Sequence, residues 1–284
     1  MNNYNLGIIG RGFVGSAVEY AFSPQTQCDF VKIRVYDIDP LKSSSTLDDT
    51  VNKSDIIFVS VPTPSNNDGT INLNNVDDVL MNIDKVITSD PIILLRSTML
   101  PGTTSKLQKK YPKLRLVFNP EFLTERSAKF DFLNQSRAIL GGEKENVTVA
   151  KRLYRKRFGK SLYIIETDFE TAELIKYMCN CFFATKVSFM NEMKLIADKT
   201  KVDWDTAIEG FVSDGRVGKS HLDVPGPDGK RGYGGSCFPK DIQALIKFSE
   251  SHNLINDTIK GSWESNLKIR SEKDWEKLKG RSII

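Results

Sequence analysis

The stretch Leu6-Gly7-Ile8-Ile9-Gly10-Arg11-Gly12-Phe13-Val14-Gly15 decides the fold. A short apolar run that reads as a strand leads into glycines spaced G-x-G-x-x-G, and Ser16 to Phe22 beyond them can be helical. Gly10 permits a tight turn, Gly12 lets backbone approach a pyrophosphate, and Gly15 lets helix and strand pack closely. The helix N-terminus, with Phe13 and Val14 in its first turn, then stabilises phosphate charge. Asp37 stands 22 positions past Gly15 at the end of a second apolar run, KIRVYD. That is close to the spacing of roughly 20 expected for a carboxylate on a cofactor ribose. Such a carboxylate repels a 2'-phosphate, so NAD is expected rather than NADP. Lys42, just past this run, is either a ligand of the cofactor's phosphates or adenosine or a solvated lysine.

Outward from this turn, the first half alternates short Ile, Val and Leu runs with stretches able to hold a helix. The runs are DIIFVSV (55–61), PIILLRS (91–97), LRLVFNP (114–120), SRAILGG (136–142) and SLYIIE (161–166). Continuous apolar runs of this length belong to a mainly parallel sheet buried on both faces, hence a doubly wound α/β domain over 1–167. From Phe169 to about Thr200 the period becomes helical and no Gly or Pro interrupts it, with Thr167 or Asp168 available as a cap. A helix of about 30 residues spans about 45 Å, more than a small domain needs, so it is expected to join two domains or build an oligomer interface. Phe182, Phe183, Phe189 and Met190 cover adjacent faces, which predicts a homodimer through 169–197. A helical domain follows over 168–262, with helices at 203–212 and 239–251, and residues 263–284 read as a polar tail.

Composition narrows the function. The 284 residues carry 40 Lys+Arg against 36 Asp+Glu, with 39% hydrophobic residues. A net charge of +4 spread over both halves gives no basic stripe for nucleic acid or a membrane, and the run KRLYRKRFGK (151–160) reads as a solvated helix face. No run approaches the roughly 20 apolar residues that cross a bilayer. With no signal-peptide pattern and four cysteines lacking a C-x-x-C pair, a cytoplasmic protein is expected. Cys179 and Cys181, two apart on a helix, point in different directions and make poor metal ligands, and no metal site is expected.

Cys237 follows Gly234-Gly235-Ser236 and precedes a proline-started helix, so its thiol is expected near backbone N–H groups and a positive helix end, conditions that favour a thiolate. Lys176 and Asn180 are four apart on the long helix and share a face. Glu121 follows Asn119-Pro120 at the end of a strand, where a parallel sheet presents its ligand-binding edge.

SVPTPSNNDG (60–69), RSTMLPGT (96–103), FNPEFLTERSA (118–128), TAELIKYMCNCFFATKVSFMNE (171–192) and GGSCFPKD (234–241), together with the glycine turn, resemble the UDP-glucose/GDP-mannose dehydrogenase family in consistent order from Leu6 to Asp241. GGSCFPKD is closer to the UDP-glucose and GDP-mannose branches than to the N-acetylmannosamine branch. The resemblance implies oxidation of a nucleotide sugar's C6 alcohol to a carboxylate, using two NAD and a cysteine-bound intermediate. It makes Cys237 the nucleophile, Lys176 and Asn180 the holders of substrate and oxyanions, and Glu121 the activator of water, which Thr98 positions. Asp241 completes the water network or adjusts Lys176. It adds Val61, Pro62, Thr63, Ser97 and Thr98 to the cofactor site and Phe122, Leu123, Arg216, Tyr233 and Gly234 to the substrate site. Glu125 contacts the nicotinamide side or is a salt-bridged surface carboxylate. The loop VPGPDGKRG before GYGG is longer and more charged than the family pattern. The family continues into a third, nucleotide-holding domain, whereas only 47 residues follow Cys237 here. A catalytically weak or inactive NAD-binding homologue acting as a binding or regulatory subunit, and a two-domain 3-hydroxyacid or 6-phosphogluconate type of dehydrogenase, are the alternatives.

Overall fold

The computed structural model describes residues 4–284. The chain divides into two compact units, one running to Thr63 and resuming over Leu73–Lys176, the other made of Pro64–Asn72 and Tyr177–Ile284. The boundary expected at 167/168 therefore falls at 176/177, within a helix, and the short segment 64–72 belongs to the second unit.

The first unit holds seven strands: β1 (Tyr4–Ile9), β2 (Val31–Tyr36), β3 (Ile56–Val59), β4 (Ile92–Leu95), β5 (Arg115–Phe118), β6 (Arg137–Gly142) and β7 (Tyr163–Thr167). Their order is β2-β1-β3-β4-β5-β6-β7, parallel except where β5 meets β6. The helices between them are α1 (Phe13–Ala21), α2 (Leu47–Asn52), α3 (Asn74–Val86), α4 (Thr103–Lys110), α5 (Ala128–Leu133) and α6 (Lys144–Phe158). Side-chain alternation sends Ile8, Phe58, Leu94, Val117 and Leu140 to one face, against Val18, Phe132 and Leu153 of α1, α5 and α6. Ile9, Ile57, Leu95, Phe118 and Ile139 go to the other, against Val51, Leu80 and Leu107 of α2, α3 and α4. Both faces are covered, which is why the strands read as unbroken apolar runs. The chain leaves β1 toward β2 and returns to β3 on its other side, so a crevice opens between the ends of β1 and β3.

The long helix α7 (Phe169–Thr200) starts in the first unit, where Asp168 Oδ1 accepts from Thr171 N at 2.7 Å. The second unit contains the rest of α7 with α8 (Trp204–Ser213), α9 (Phe238–Ser251) and α10 (Asp257–Ile269). The expected polar tail is instead folded. Residues 257–269 form α10, and Trp275 is buried with its ring 5.4 Å from that of Trp263. The last residues pair with the inserted segment, Ser65 N donating to Ser282 O (2.8 Å) and Ile284 N to Ser65 O (3.0 Å). These backbone bonds hold 64–72 in the second unit. Among the described residues, no helix is long and apolar enough to cross a membrane.

Candidate active site

At the first crevice the glycines are sterically required. A Cβ on Gly15 would lie 1.9 Å from Gly10 O, and one on Gly10, at φ +88°, would lie 2.5 Å from Ser60 O. A Cβ on Gly12 would meet nothing within 4 Å, so the space in front of α1 is open there. Gly12 is the N-cap, no side chain caps the helix, and its first turn, with Phe13 and Val14, holds no acid. The first amides and the helix dipole are thus available to an anion. Asp37 is fixed beside this turn, its Oδ2 accepting from Arg11 N (2.6 Å) and its Oδ1 from Asp39 N (2.9 Å). A carboxylate has lone pairs left over for ribose hydroxyls after those two bonds. This arrangement fits a dinucleotide. Lys42 ends a 3₁₀ turn and pairs with Asp39 at 3.4 Å, while its carbonyl accepts from Arg11 Nη1.

Further along the same sheet edge, Val61, Pro62 and Thr63 follow β3, and Ser97 and Thr98 follow β4. Ser97 Oγ donates to Val61 O (2.6 Å) and Thr63 Oγ1 to Thr98 O (3.1 Å), which ties the two turns together. Glu121 follows β5 and is buried. Its Oε2 accepts from Leu123 N (2.8 Å) and its Oε1 from Lys176 Nζ (2.9 Å), and that ammonium also donates to Glu121 O. Phe122 lies under two cations, 4.6 Å from Arg137 Cζ and 5.3 Å from Lys176 Nζ. Glu125 is exposed at the start of a 3₁₀ turn.

In the second unit, Cys237 is the N-cap residue of α9, with Pro239 in the first turn, and its Sγ lies 3.6 Å from Ser236 Oγ. Asp241, one turn on, is 1% exposed and accepts from Asn180 Nδ2 (2.6 Å) and Lys240 Nζ (2.5 Å). The lysine that Asp241 binds is its neighbour Lys240, and Lys176 donates to Glu121. Burial, and then the nearby Asp241 carboxylate, push the Cys181 thiol up, which leaves it inert. Arg216 is 90% exposed on its side chain and pairs with Asp214 at 2.5 Å, two residues away. Tyr233, expected to touch substrate, is 4% exposed, its ring packed against Phe238 and Trp263. An aromatic ring of this size is stabilised by such burial. Gly234 has no room for a side chain, since a Cβ there would lie 2.3 Å from Asp274 Oδ1.

Lys240 and Glu173 are among the buried ionisable residues that sequence reasoning did not pick out. Lys240 sits inside GGSCFPKD, but nothing in a lysine's local sequence marks it as buried. Glu173, three residues before Lys176, accepts from Gly102 N (2.7 Å), Thr104 N (2.7 Å) and Thr104 Oγ1 (2.6 Å), capping α4 from α7. Burial, outweighing those donors, raises its carboxyl to about 7.

Residues 28–158 match the NAD binding domain of the UDP-glucose/GDP-mannose dehydrogenase family, and residues 170–268 match its central domain. The chain belongs to that family. NAD is therefore the cofactor of the first unit, and the glycine turn, which precedes the matched stretch, has the geometry to hold it. A UDP-glucose 6-dehydrogenase of Rickettsia prowazekii is 34% identical over 258 residues, which are 86% of this chain and 58% of that protein. The chain thus spans little more than half the length of this curated relative. A UDP-glucose dehydrogenase structure from Pyrobaculum islandicum superposes with a TM-score of 0.82 at 25% identity, covering 93% of this chain and 68% of that one. A 3-hydroxyisobutyrate dehydrogenase from Mycobacterium tuberculosis matches with a TM-score of 0.75 over 95% of both chains. At 13% identity it shows the shared fold alone.

Proposed function

We propose that this chain carries out NAD-dependent oxidation of a nucleotide sugar's C6 alcohol to the carboxylate, UDP-glucose to UDP-glucuronate being the reaction favoured. The observation that carries this reading is Cys237 at the amino end of α9, preceding a buried Asn180–Asp241–Lys240 group in the same unit. A hydroxyacid dehydrogenase of the same fold has no use for a thiolate there.

The glycine turn and Asp37 hold NAD, with Val61, Pro62, Thr63 and Ser97 as further cofactor contacts and NADP disfavoured by the Asp37 carboxylate. The chemistry that NAD would supply there is acceptance of the hydride in each of the two oxidations. Cys237 attacks the C6 aldehyde and forms a C–S bond, and the Lys176 ammonium and Asn180 amide donate to the oxygen on which negative charge develops. Loss of the C6 hydride from that thiohemiacetal, with its hydroxyl proton released to solvent, leaves a thioester. Glu121 then takes a proton from a water that Thr98 holds, the water adds to the thioester carbonyl, and Cys237 departs as thiolate. Phe122, Leu123, Arg216, Tyr233 and Gly234 belong to the substrate contacts in this reading, and Glu125 to the nicotinamide side.

The occupant of the exposed stripe on α7 is a second copy of this chain. Leu174, Met178, Phe182 and Phe189 are each 44–64% exposed and recur along one side of the helix. A two-fold interface would bury each of them twice. Four cysteines outside any disulfide and a reaction that consumes NAD suit the cytoplasm.

The deciding assay is NADH formation from UDP-glucose and from GDP-mannose, with NADH counted against sugar consumed. Two NADH per acid formed is expected. One NADH per substrate would sink the four-electron reading, and NAD binding without any NADH would favour a binding homologue.

A further inference from the structure

Arg96 ends the apolar run PIILLR, directly after β4. Because Leu95 pairs with Phe118 across the parallel ladder, Arg96 and Asn119 are the next residues side by side, and alternation sends both to the face lined by Leu94, Val117 and Phe132. Arg96 is 3% exposed there. Its Nη1 donates to Asn119 Oδ1 (2.6 Å) and Tyr154 Oη (3.3 Å), its Cζ lies 4.9 Å from the Phe132 ring centre, and its Nε meets no acceptor. Among the described residues it makes no salt bridge, and a guanidinium buried on neutral partners is costly. A methionine would fill the same space without that cost.

What the guanidinium does, and an apolar chain cannot, is hold Asn119. Asn119 Oδ1 also accepts from Tyr154 Oη (2.5 Å), its Nδ2 donates to Ile139 O (2.9 Å), and its N donates to Leu95 O (2.8 Å). One amide is thereby tied to β4, β6 and α6. Arg96 precedes Ser97-Thr98, and Asn119 precedes Pro120-Glu121. A buried network that bonds both ends of the Asn119 amide admits few alternative arrangements of that side chain.

We propose that Arg96 is a positioning residue, which by gripping Asn119 fixes the Ser97–Thr98 turn against the Asn119–Glu121 turn and so sets the Glu121 carboxylate relative to the Thr98 hydroxyl. The inference rests on the roles given above to Glu121 and Thr98. It locates a determinant of thioester hydrolysis beneath the sheet edge, in a residue that touches neither cofactor nor substrate.

Arg96→Met, Arg96→Lys and Tyr154→Phe in the full chain are to be compared with the wild type in three ways: NADH release from UDP-glucose, NAD affinity by fluorescence titration, and amide exchange over 119–124 by mass spectrometry. Arg96→Met is expected to lose tenfold or more in kcat, with KM for UDP-glucose and Kd for NAD within threefold. It should accumulate acylated chain by intact mass, and exchange of the Leu123 amide, which donates to Glu121, should rise at least tenfold. Arg96→Lys, still able to donate to Asn119, should recover most of the protection and part of kcat. Arg96→Met with kcat within twofold and unchanged exchange overturns the proposal. Where Arg96→Met does not fold, Arg96→Lys and Tyr154→Phe decide by the same readings, and wild-type kcat and exchange in both overturn it. A wild type that releases no NADH from any nucleotide sugar defeats the dehydrogenase reading, while the exchange data still decide whether Arg96 holds the Glu121 turn.

Discussion

Lys176 Nζ lies 2.9 Å from Glu121 Oε1, in an ion pair whose side chains are only 3% and 7% exposed. The ammonium also donates to the Glu121 carbonyl, so a single side chain of α7 fixes both backbone and carboxylate of the turn after β5. Removing one partner of such a pair leaves the other buried and uncompensated, at a cost of about 3–5 kcal/mol.

Lys176→Met is therefore expected to lower stability by about that amount, and Lys176→Met combined with Glu121→Gln to recover much of it. Urea denaturation of the wild type and the three variants completes the cycle. Strictly additive losses would mean that the pair is not coupled.

Cys237→Ser and Glu121→Gln should fail in different ways. A serine is the poorer nucleophile, so Cys237→Ser should give no steady production of acid. Glu121→Gln keeps the thiol but cannot take water's proton, so it should show a burst of NADH followed by slow turnover, with the acyl group visible by intact mass. Wild-type turnover to the acid in Cys237→Ser would remove the covalent mechanism.

Glu173 should leave a mark on stability as a function of pH. Its carboxyl, raised by burial to about 7 from an ordinary 4.5, still holds a proton in the folded chain where the unfolded chain has lost it. Stability therefore falls as pH rises from about 4.5 to about 7, and this contribution is level above and below that window. Glu173→Gln should flatten that part of the profile. Melting temperatures of both proteins from pH 4 to 8 are the measurement, and parallel profiles would count against the assignment.

On α7, Met178 and Phe182 are 60% and 64% exposed, one turn apart. If a second copy covers them, Met178→Glu places like charges on both sides of a two-fold contact and should lower dimer affinity at least tenfold. Light scattering at micromolar concentration is the check. A monomeric wild type would rule out the dimer.

The glycine turn, the apolar strands and the long helix are legible in the sequence because their causes are local. A tight turn needs glycine where a Cβ would strike Ser60 or Gly10 backbone, a doubly covered sheet needs unbroken apolar runs, and a helix without Gly or Pro simply continues. Cys237 is legible for the same reason, as a cysteine at a glycine-rich helix start. Residues in contact across 55 or 61 positions are not. That Lys176 takes Glu121 and Asn180 takes Asp241, and that Lys240 is buried with Asp241, follows from how strands and helices pack. Helix α10 escaped the periodicity argument because the face it buries is polar, with Asn266 fully buried and bonded to the Tyr233 backbone. The unit boundary within α7 is likewise invisible, since helical periodicity records that a face is buried and not which core buries it. Sequence alone determined which local geometries the backbone adopts, and tertiary structure decided which distant charges share a buried place, because the energy of a buried ion depends on partners brought in by packing rather than by the chain.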